Sequence, residues 1–423
     1  MASRIGPMLR LVLAMGAVLS PLAGPVLNRR LKRGKEDPAR VGEKLGNPSA
    51  ERPAGPLIWL HGVGVGEVMA LRGLIERLSL ERPDLNFLVT SSARSSAQVI
   101  DANLPPRTVH QYLPLDFPGP VTRFLDHWHP DLAVWSDQEV WPRLAVECHR
   151  RGIPQAYVAA RITGDSAKAR ARFGAAYGDL YGLMDVIHAQ DDRTVANLGC
   201  MMGDDRGVTV SGSLKAAGAP LTFDPDTTVA FQTLGQSRRL WLLASSHPVE
   251  ETVALDAHVD ILAADPNALL IIAPRDINRA ADIAESAKSK GLQAQLRSQE
   301  PAPDDATQVY IADSYGELGN WYRAAPIALI GGTFDAIEGH NPWEAVTLGA
   351  AVLHGPRTAN FALDYETLDQ ANAALPVSDA AAVARAVLSD ETLNMRYAAT
   401  EMKAQMSRGV SQITADLVGL LDR

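Results

Sequence analysis

From residue 56 onward, short apolar runs alternate with amphipathic stretches, and this alternation constrains the chain to βα units feeding a largely parallel sheet. Leu57 to His61 reads as a buried strand, while Glu67 to Leu80 sets Val68, Leu71, Leu74, Ile75 and Leu78 at helical spacing. Gly62 to Gly66 is then the strand-to-helix loop. Further strands are expected at Phe87 to Thr90, Leu132 to Trp135 and Gln155 to Ala159. The text turns irregular between Ala216 and Arg238, where Pro220 and Pro225 fall. Alternation restarts with strands at Leu240 to Ala244, Leu269 to Ala273, Gln308 to Ala312, Ile327 to Ile330 and Ala351 to Leu353. A chain of 423 residues with 46% hydrophobic content exceeds what one core usually serves. The expected division is a membrane-proximal apolar segment at 1–30, a Rossmann-like domain at 50–216, a linker at 217–238 and a second Rossmann-like domain at 239–423. Two such α/β domains facing each other form a cleft, with ligands at the carboxyl ends of the strands.

A net charge of −9 excludes a general nucleic-acid binder, so no nucleic-acid partner is expected. Cys148 and Cys200 are too few and too far apart for a disulfide framework or a zinc site, and neither a metal nor a cofactor is called for. Near the start, Leu11 to Leu27 carries no charge and is followed by Arg29, Arg30, Lys32, Arg33 and Lys35. A signal peptide would carry its basic cluster before the apolar run, whereas here the heavier one follows it. The positive-inside rule then keeps the body of the chain in the cytoplasm. The run is at the short limit of the roughly 17 to 25 residues that span a bilayer, so it is expected either to span or to lie at the membrane surface.

Several loop residues stand where chemistry is done. Glu67 follows Gly62, Gly64 and Gly66 and sits in the first helical turn. There it either compensates the helix dipole or acts as a general base, the glycines letting another molecule approach the backbone. It also occupies the place of the third glycine of a dinucleotide fingerprint, which disfavours a nicotinamide-dependent oxidoreductase. Asp137-Gln138-Glu139 follows a strand and precedes Trp141-Pro142, with Ser136 or Asp137 as a helix cap and Glu139 left for another role. Arg275 directly follows the strand ending at Ala273-Pro274, where its planar fork could hold a phosphate or form a surface salt bridge. Gly316, Glu317 and Leu318 precede a helix whose amides could receive a phosphate. In Asn341-Pro342-Trp343-Glu344, capping accounts for the first two residues, and Glu344 is placed to accept hydrogen bonds from ribose hydroxyls.

These blocks in this order resemble the 3-deoxy-D-manno-octulosonic acid (Kdo) transferases, which move Kdo from CMP-Kdo onto lipid A precursors. The likeness runs over nearly the whole chain: residues 33–38, Glu43 to Gly46, Gly66-Glu67-Val68, Glu139 to Pro142, Ser211 to Lys215, Ser245 to His247, Pro274-Arg275, Gly316 to Gly319 and His340 to Pro342. The resemblance implies a GT-B architecture of two Rossmann-like domains facing across a cleft, the first for the acceptor and the second for the CMP-sugar. It implies an inverting, metal-independent transfer with Glu67 as base. Glu139 and Lys215 are implied as transition-state stabilisers, and Pro274, Arg275, Gly316 to Leu318 and Asn341 to Glu344 as CMP contacts. The implied partners are CMP-Kdo, a lipid A precursor and the cytoplasmic face of the inner membrane. The chain departs from the family pattern at Ser136-Asp137-Gln138, where Met-Glu-Thr is usual, and at Asp276, where histidine follows Pro-Arg. Those departures keep open a paralogue with another donor or acceptor, and because a fold alone does not imply activity a non-catalytic membrane-associated scaffold is the second alternative.

Overall fold

The apolar runs become the middle strands of two seven-stranded, all-parallel sheets in the computed structural model, which describes residues 5–101, 103–171, 173–204, 207–214 and 221–423. Residue contacts divide the chain into two units: Met1–Ala219 with Gln405–Arg423, and Pro220–Ala404. The first unit contains β1 (Leu57–His61), β2 (Asn86–Ser91), β3 (Thr108–Tyr112), β4 (Leu132–Ser136), β5 (Gln155–Ala160), β6 (Val186–Ala189) and β7 (Val208–Val210). Their order across the sheet is β3-β2-β1-β4-β5-β6-β7, the doubly wound arrangement. Side chains alternate as a pleat requires. Leu57 and Trp59 of β1 enter one core with Phe124, Trp128 and Trp135, while Ile58 and Leu60 enter the other with Val68, Leu71, Leu74 and Leu78.

The second unit repeats the plan with β8 (Leu240–Ser246), β9 (Leu269–Pro274), β10 (Ala294–Leu296), β11 (Val309–Ile311), β12 (Ile327–Ile330), β13 (Ala351–His354) and β14 (Ala374–Pro376), ordered β10-β11-β9-β8-β12-β13-β14. Trp241, Leu243, Leu270, Ile272, Ile327 and Leu329 supply its core from adjacent strands.

The structure departs from the expected boundaries in two places. Residues 217–238 are not linker throughout, because Pro225–Leu234 is a helix whose Phe231 packs on Tyr310 and Trp321 of the second unit. Asp224 caps this helix, accepting from the Thr227 amide at 2.8 Å, and Pro225 opens it. The second domain also does not run to the end of the chain. The last helix, Glu391–Leu421, delivers Val410, Ile413, Leu417 and Leu420 to the core of the first unit. Gly409 is needed there, since a Cβ would come within 1.8 Å of the Ser211 carbonyl oxygen.

The apolar start is helical over Pro7–Leu19 and Ala23–Lys32, joined by a 3-10 turn at Ser20–Leu22 that accommodates Pro21. Leu9 and Leu13 are buried in the first unit's core, and Arg143 Nη2 donates to the Leu13 carbonyl at 2.7 Å. Leu11, Met15, Val18, Leu19, Leu22 and Val26 remain exposed.

Candidate active site

In the first unit the carboxyl ends of β1, β4 and β5 converge on Glu67. The Gly62 to Gly64 turn after β1 leads into the helix Val65–Glu81, and Glu67 folds back so that its carboxylate accepts from the Val63 amide at 2.7 Å. Burial, then the negative charge of Asp137, raises its carboxyl to about 7, with Glu139 adding to the rise and the Val63 and Gly64 amides opposing it. Dipole compensation alone would instead hold the carboxyl low. Glu67 is therefore a half-buried carboxylate poised to exchange a proton near neutral pH.

Ser136 and Asp137 are not the helix caps expected of them. The helix Pro142–Arg150 is capped from a distance by Asp116, whose two carboxylate oxygens accept from the Arg143 and Leu144 amides at 2.9 Å each. Ser136 instead ties β4 to β1 through a 2.7 Å bond to the His61 carbonyl. Asp137 takes a left-handed conformation with φ of 58°. Its carbonyl accepts from the Tyr157 hydroxyl at 2.7 Å and the Arg161 amide at 2.8 Å, and its carboxylate lies 3.3 Å from Arg161 Nε. A small cavity lined by Glu67, Ser136, Asp137, Ala159, Gln190 and Ser213 opens beside these groups.

Glu139 is half-buried, and burial raises its carboxyl while Arg170 draws it back. Arg170 Nη2 also donates to the Gln138 carbonyl at 2.6 Å. Arg161 and Arg170 thus serve this acidic cluster, and sequence reasoning passed over both. For Arg161 the signal lay in its position just past a buried strand, the argument that singled out Arg275, whereas Arg170 sits in the following helix, Gly164–Ala171, with no such signal. Lys215 lies outside the described residues.

Lys44 and Glu43, quoted only for their resemblance, turn out to be structural. Buried Glu43 accepts from Arg40 and from the Tyr112 amide, and Lys44 Nζ donates to the Ser92 carbonyl at 2.7 Å.

In the second unit, β9 ends at Pro274, and the exposed Arg275 acts electrostatically on both Glu344 and His340. Burial raises the Glu344 carboxyl, opposed by Arg275 and Asn341. His340 Nε2 lies 2.8 Å from His247 Nε2, and burial followed by the neighbouring His247 and Arg275 pushes His340 down to about 4, so the stacked pair holds a neutral imidazole. Asn341 accepts from the Trp343 amide at 3.1 Å, but Pro342, expected in the first turn, instead holds the cap position of the short helix Trp343–Thr347.

Two expected donor contacts, Trp343 and Glu317, have side chains engaged within the protein. The Trp343 indole is buried and donates to Asp364 at 2.9 Å, which leaves only its backbone for a ligand. Glu317 is held by Arg297 at 2.9 Å and by Ser314. Burial pushes its carboxyl up, but these two partners outweigh it and hold it below its ordinary value. Asp276, where the chain departs from the family's histidine, caps the 3-10 turn Ile277–Arg279 by accepting from the Asn278 amide at 3.1 Å. Gly316, with φ of 83°, makes the turn before Leu318, where the next helix, Leu318–Ala324, begins.

A family model described as 3-deoxy-D-manno-octulosonic-acid transferase (kdotransferase) matches residues 39–217. The 3-deoxy-D-manno-octulosonic acid transferase of Bordetella pertussis is 32% identical, the alignment covering 86% of each chain. That of Haemophilus influenzae is 30% identical over 81% of this chain and 80% of its own. Among solved structures, UDP-GlcNAc 2-epimerase from Neisseria meningitidis superposes with a TM-score of 0.52 over 86% of this chain and 99% of its own, at 12% identity, a likeness of fold alone.

Proposed function

The chain belongs to the 3-deoxy-D-manno-octulosonic acid transferase family, and on that premise we propose that it transfers Kdo from CMP-Kdo to a lipid A precursor by a single inverting displacement with Glu67 as general base. It is a glycosyltransferase built from two doubly wound units of the GT-B class. The observation that carries the mechanism is the Glu67 carboxyl raised to about 7, half-buried at a helix start beside a cavity. A base of that strength is about half ionised at neutral pH and basic enough to take a proton as the transition state forms. The acceptor hydroxyl passes its proton to Glu67, its oxygen bonds to the anomeric carbon, and the bond from that carbon to the CMP phosphate breaks, the electron pair leaving with CMP. Asp137 and Glu139 keep Glu67 basic, with Arg161 and Arg170 balancing their charge.

In the second unit Arg275 meets the CMP phosphate, and Glu344 accepts from the ribose hydroxyls with its helix start held by Asn341. Pro274 and the turn at Gly316 to Leu318 shape the nucleotide pocket, while Trp343 anchors it from behind through Asp364. Arg275 supplies positive charge to the leaving phosphate, and the resemblance assigns Lys215 to transition-state stabilisation, roles that call for no metal. Asp276, engaged as a cap, gives no support to a changed donor.

The enzyme works at the cytoplasmic face of the inner membrane. The Pro7–Lys32 helix lies along the bilayer surface: its Leu9 and Leu13 stripe belongs to the protein core, and its exposed apolar face enters the lipid beside Arg29, Arg30 and Lys32.

The test is transfer of Kdo from freshly generated CMP-Kdo to a lipid A precursor, with chelator present. Glu67→Gln should lower turnover by at least about 100-fold, the low end for loss of a general base, with CMP binding retained. Turnover within a few-fold of wild type in that variant would remove Glu67 from the role.

A further inference from the structure

At the amino ends of the second unit's strands, where β8 starts at Leu240 and β12 follows Pro326, lies an open cavity of about 530 Å³. Arg238, Arg239, Arg323 and Arg396 line it, and Asp265 is the one carboxylate among the described residues that does so. Like charges gathered this way repel, and a chain of net charge −9 has acidic residues in excess to place beside them.

The arginines are held mainly by neutral groups. Arg238 donates to the carbonyls of Asn267 at 2.9 Å and Thr307 at 2.5 Å, Arg323 to that of Gly319 at 2.8 Å, and Arg396 Nε to that of Gly349 at 3.1 Å. Only Arg239 meets Asp265, at 3.0 Å. Asp304 and Asp305 act on Arg238 without lining the cavity. Carbonyls fix a guanidinium's direction but leave its charge uncancelled, and burial lowers both Arg238 and Arg323 from their ordinary value for that reason. Both Nη groups of Arg396 are without a protein partner among the described residues.

We propose that this cavity binds a small polyanion bearing two or more phosphate groups, at a site separate from the nucleotide-sugar residues. The excess of positive charge exceeds what one phosphate neutralises, and the volume falls in the roughly 300 to 1,000 Å³ range of small-molecule pockets. Arg275 follows the opposite end of the sheet, and the seven residues of β8 place about 20 Å between the two ends. The ligand is either a free diphosphate or the headgroup of a diphosphoryl lipid, which present the same groups to the arginines.

The probe is inorganic pyrophosphate titrated into the full chain by calorimetry, without donor or acceptor. A Kd below about 1 mM is expected, weakened at least about tenfold by Arg396→Glu and less by Arg396→Gln, and unchanged within about twofold by Arg275→Ala. CMP affinity should be the same in Arg396→Glu as in wild type. Loss of pyrophosphate binding in Arg275→Ala with retention in Arg396→Glu, or no binding below about 10 mM, overturns the site. A second arm uses phosphatidylcholine vesicles with and without a diphosphoryl lipid. Pyrophosphate binding alone identifies a free ligand, whereas lipid-dependent retention that Arg396→Glu abolishes identifies the headgroup.

Discussion

Replacing Asp137 with asparagine removes a negative charge beside Glu67 while keeping the shape of the site. The backbone there has φ of 58°, a conformation asparagine tolerates about as well as aspartate, so the turn after β4 survives. Glu67 is raised from its ordinary 4.5 to about 7, first by burial and next by Asp137. Asp137 ranks second to burial, so removing its charge lowers the Glu67 carboxyl while burial still holds it above its ordinary value; a shift on the order of one pH unit corresponds to about 1.4 kcal/mol. Arg161, 3.3 Å from the Asp137 carboxylate, loses its ion-pair partner and acts in the same direction on Glu67. A general base works ionised, so transfer falls as pH drops through its pKa. The kcat/KM profile of wild type should have an acidic limb near pH 7, and that of Asp137→Asn should have its limb moved toward pH 6. At pH 6 a base of pKa 7 is about one-tenth ionised and one of pKa 6 about half, so the variant keeps up to about five times more of its own plateau rate there. The plateau itself should fall about two- to threefold, because a weaker base assists less. The assay is initial-rate transfer between pH 5 and 8, with Glu67→Gln as the control that has lost the limb. An acidic limb unmoved in Asp137→Asn, or moved upward, refutes the coupling of the two carboxylates.

Glu67 also bears on stability. Its folded pKa is raised, so the folded state is fully favoured below about pH 4.5 and loses this contribution as pH climbs toward 7. Glu67→Gln should therefore be more stable than wild type at pH 8, by up to about 3 kcal/mol in denaturant titration, and no more stable at pH 4. Asp276→Ala should leave CMP affinity unchanged and cost about 0.5 to 2 kcal/mol of stability, because the side chain caps a turn; a loss of CMP binding would return Asp276 to the nucleotide pocket. Gly319→Ala should destabilise the second unit by about 1 to 3 kcal/mol, since the added Cβ would sit 2.1 Å from the Thr222 carbonyl oxygen, and a neutral result in thermal melting would contradict that packing.

The central strands were legible because they are buried on both faces and read as continuous apolar runs: Leu57–His61 is found at its expected limits, and Ile327–Ile330 likewise. β3 was not, because its interior carries His110 and Gln111, and a polar residue reads as loop unless its partner is known. Ser91 pairs with His110 at 3.0 Å and Trp128 donates to Gln111 Oε1 at 2.9 Å, both contacts between elements that no local pattern joins. The helix at Pro225–Leu234 did have a local signal, Asp224 capping and Pro225 opening it, which the prolines around it disguised as a linker. The final helix shows the limit of periodicity: its spacing says that Val410, Ile413 and Leu417 face a core, but not which of two cores receives them.

The same division runs through the site. Glu67 was visible because its glycine loop is contiguous in sequence, and Asp137 was mistaken for a cap because the true cap, Asp116, comes from a distant loop. Once Asp116 satisfies the helix amides, Asp137 is released from that task, and its left-handed turn instead presents a carboxylate toward Glu67. A Glu67 strong enough to accept a proton at neutral pH thus depends in part on an aspartate at the end of the neighbouring strand β4, distant in sequence, and that dependence is the part of the chemistry that only the folded chain contains.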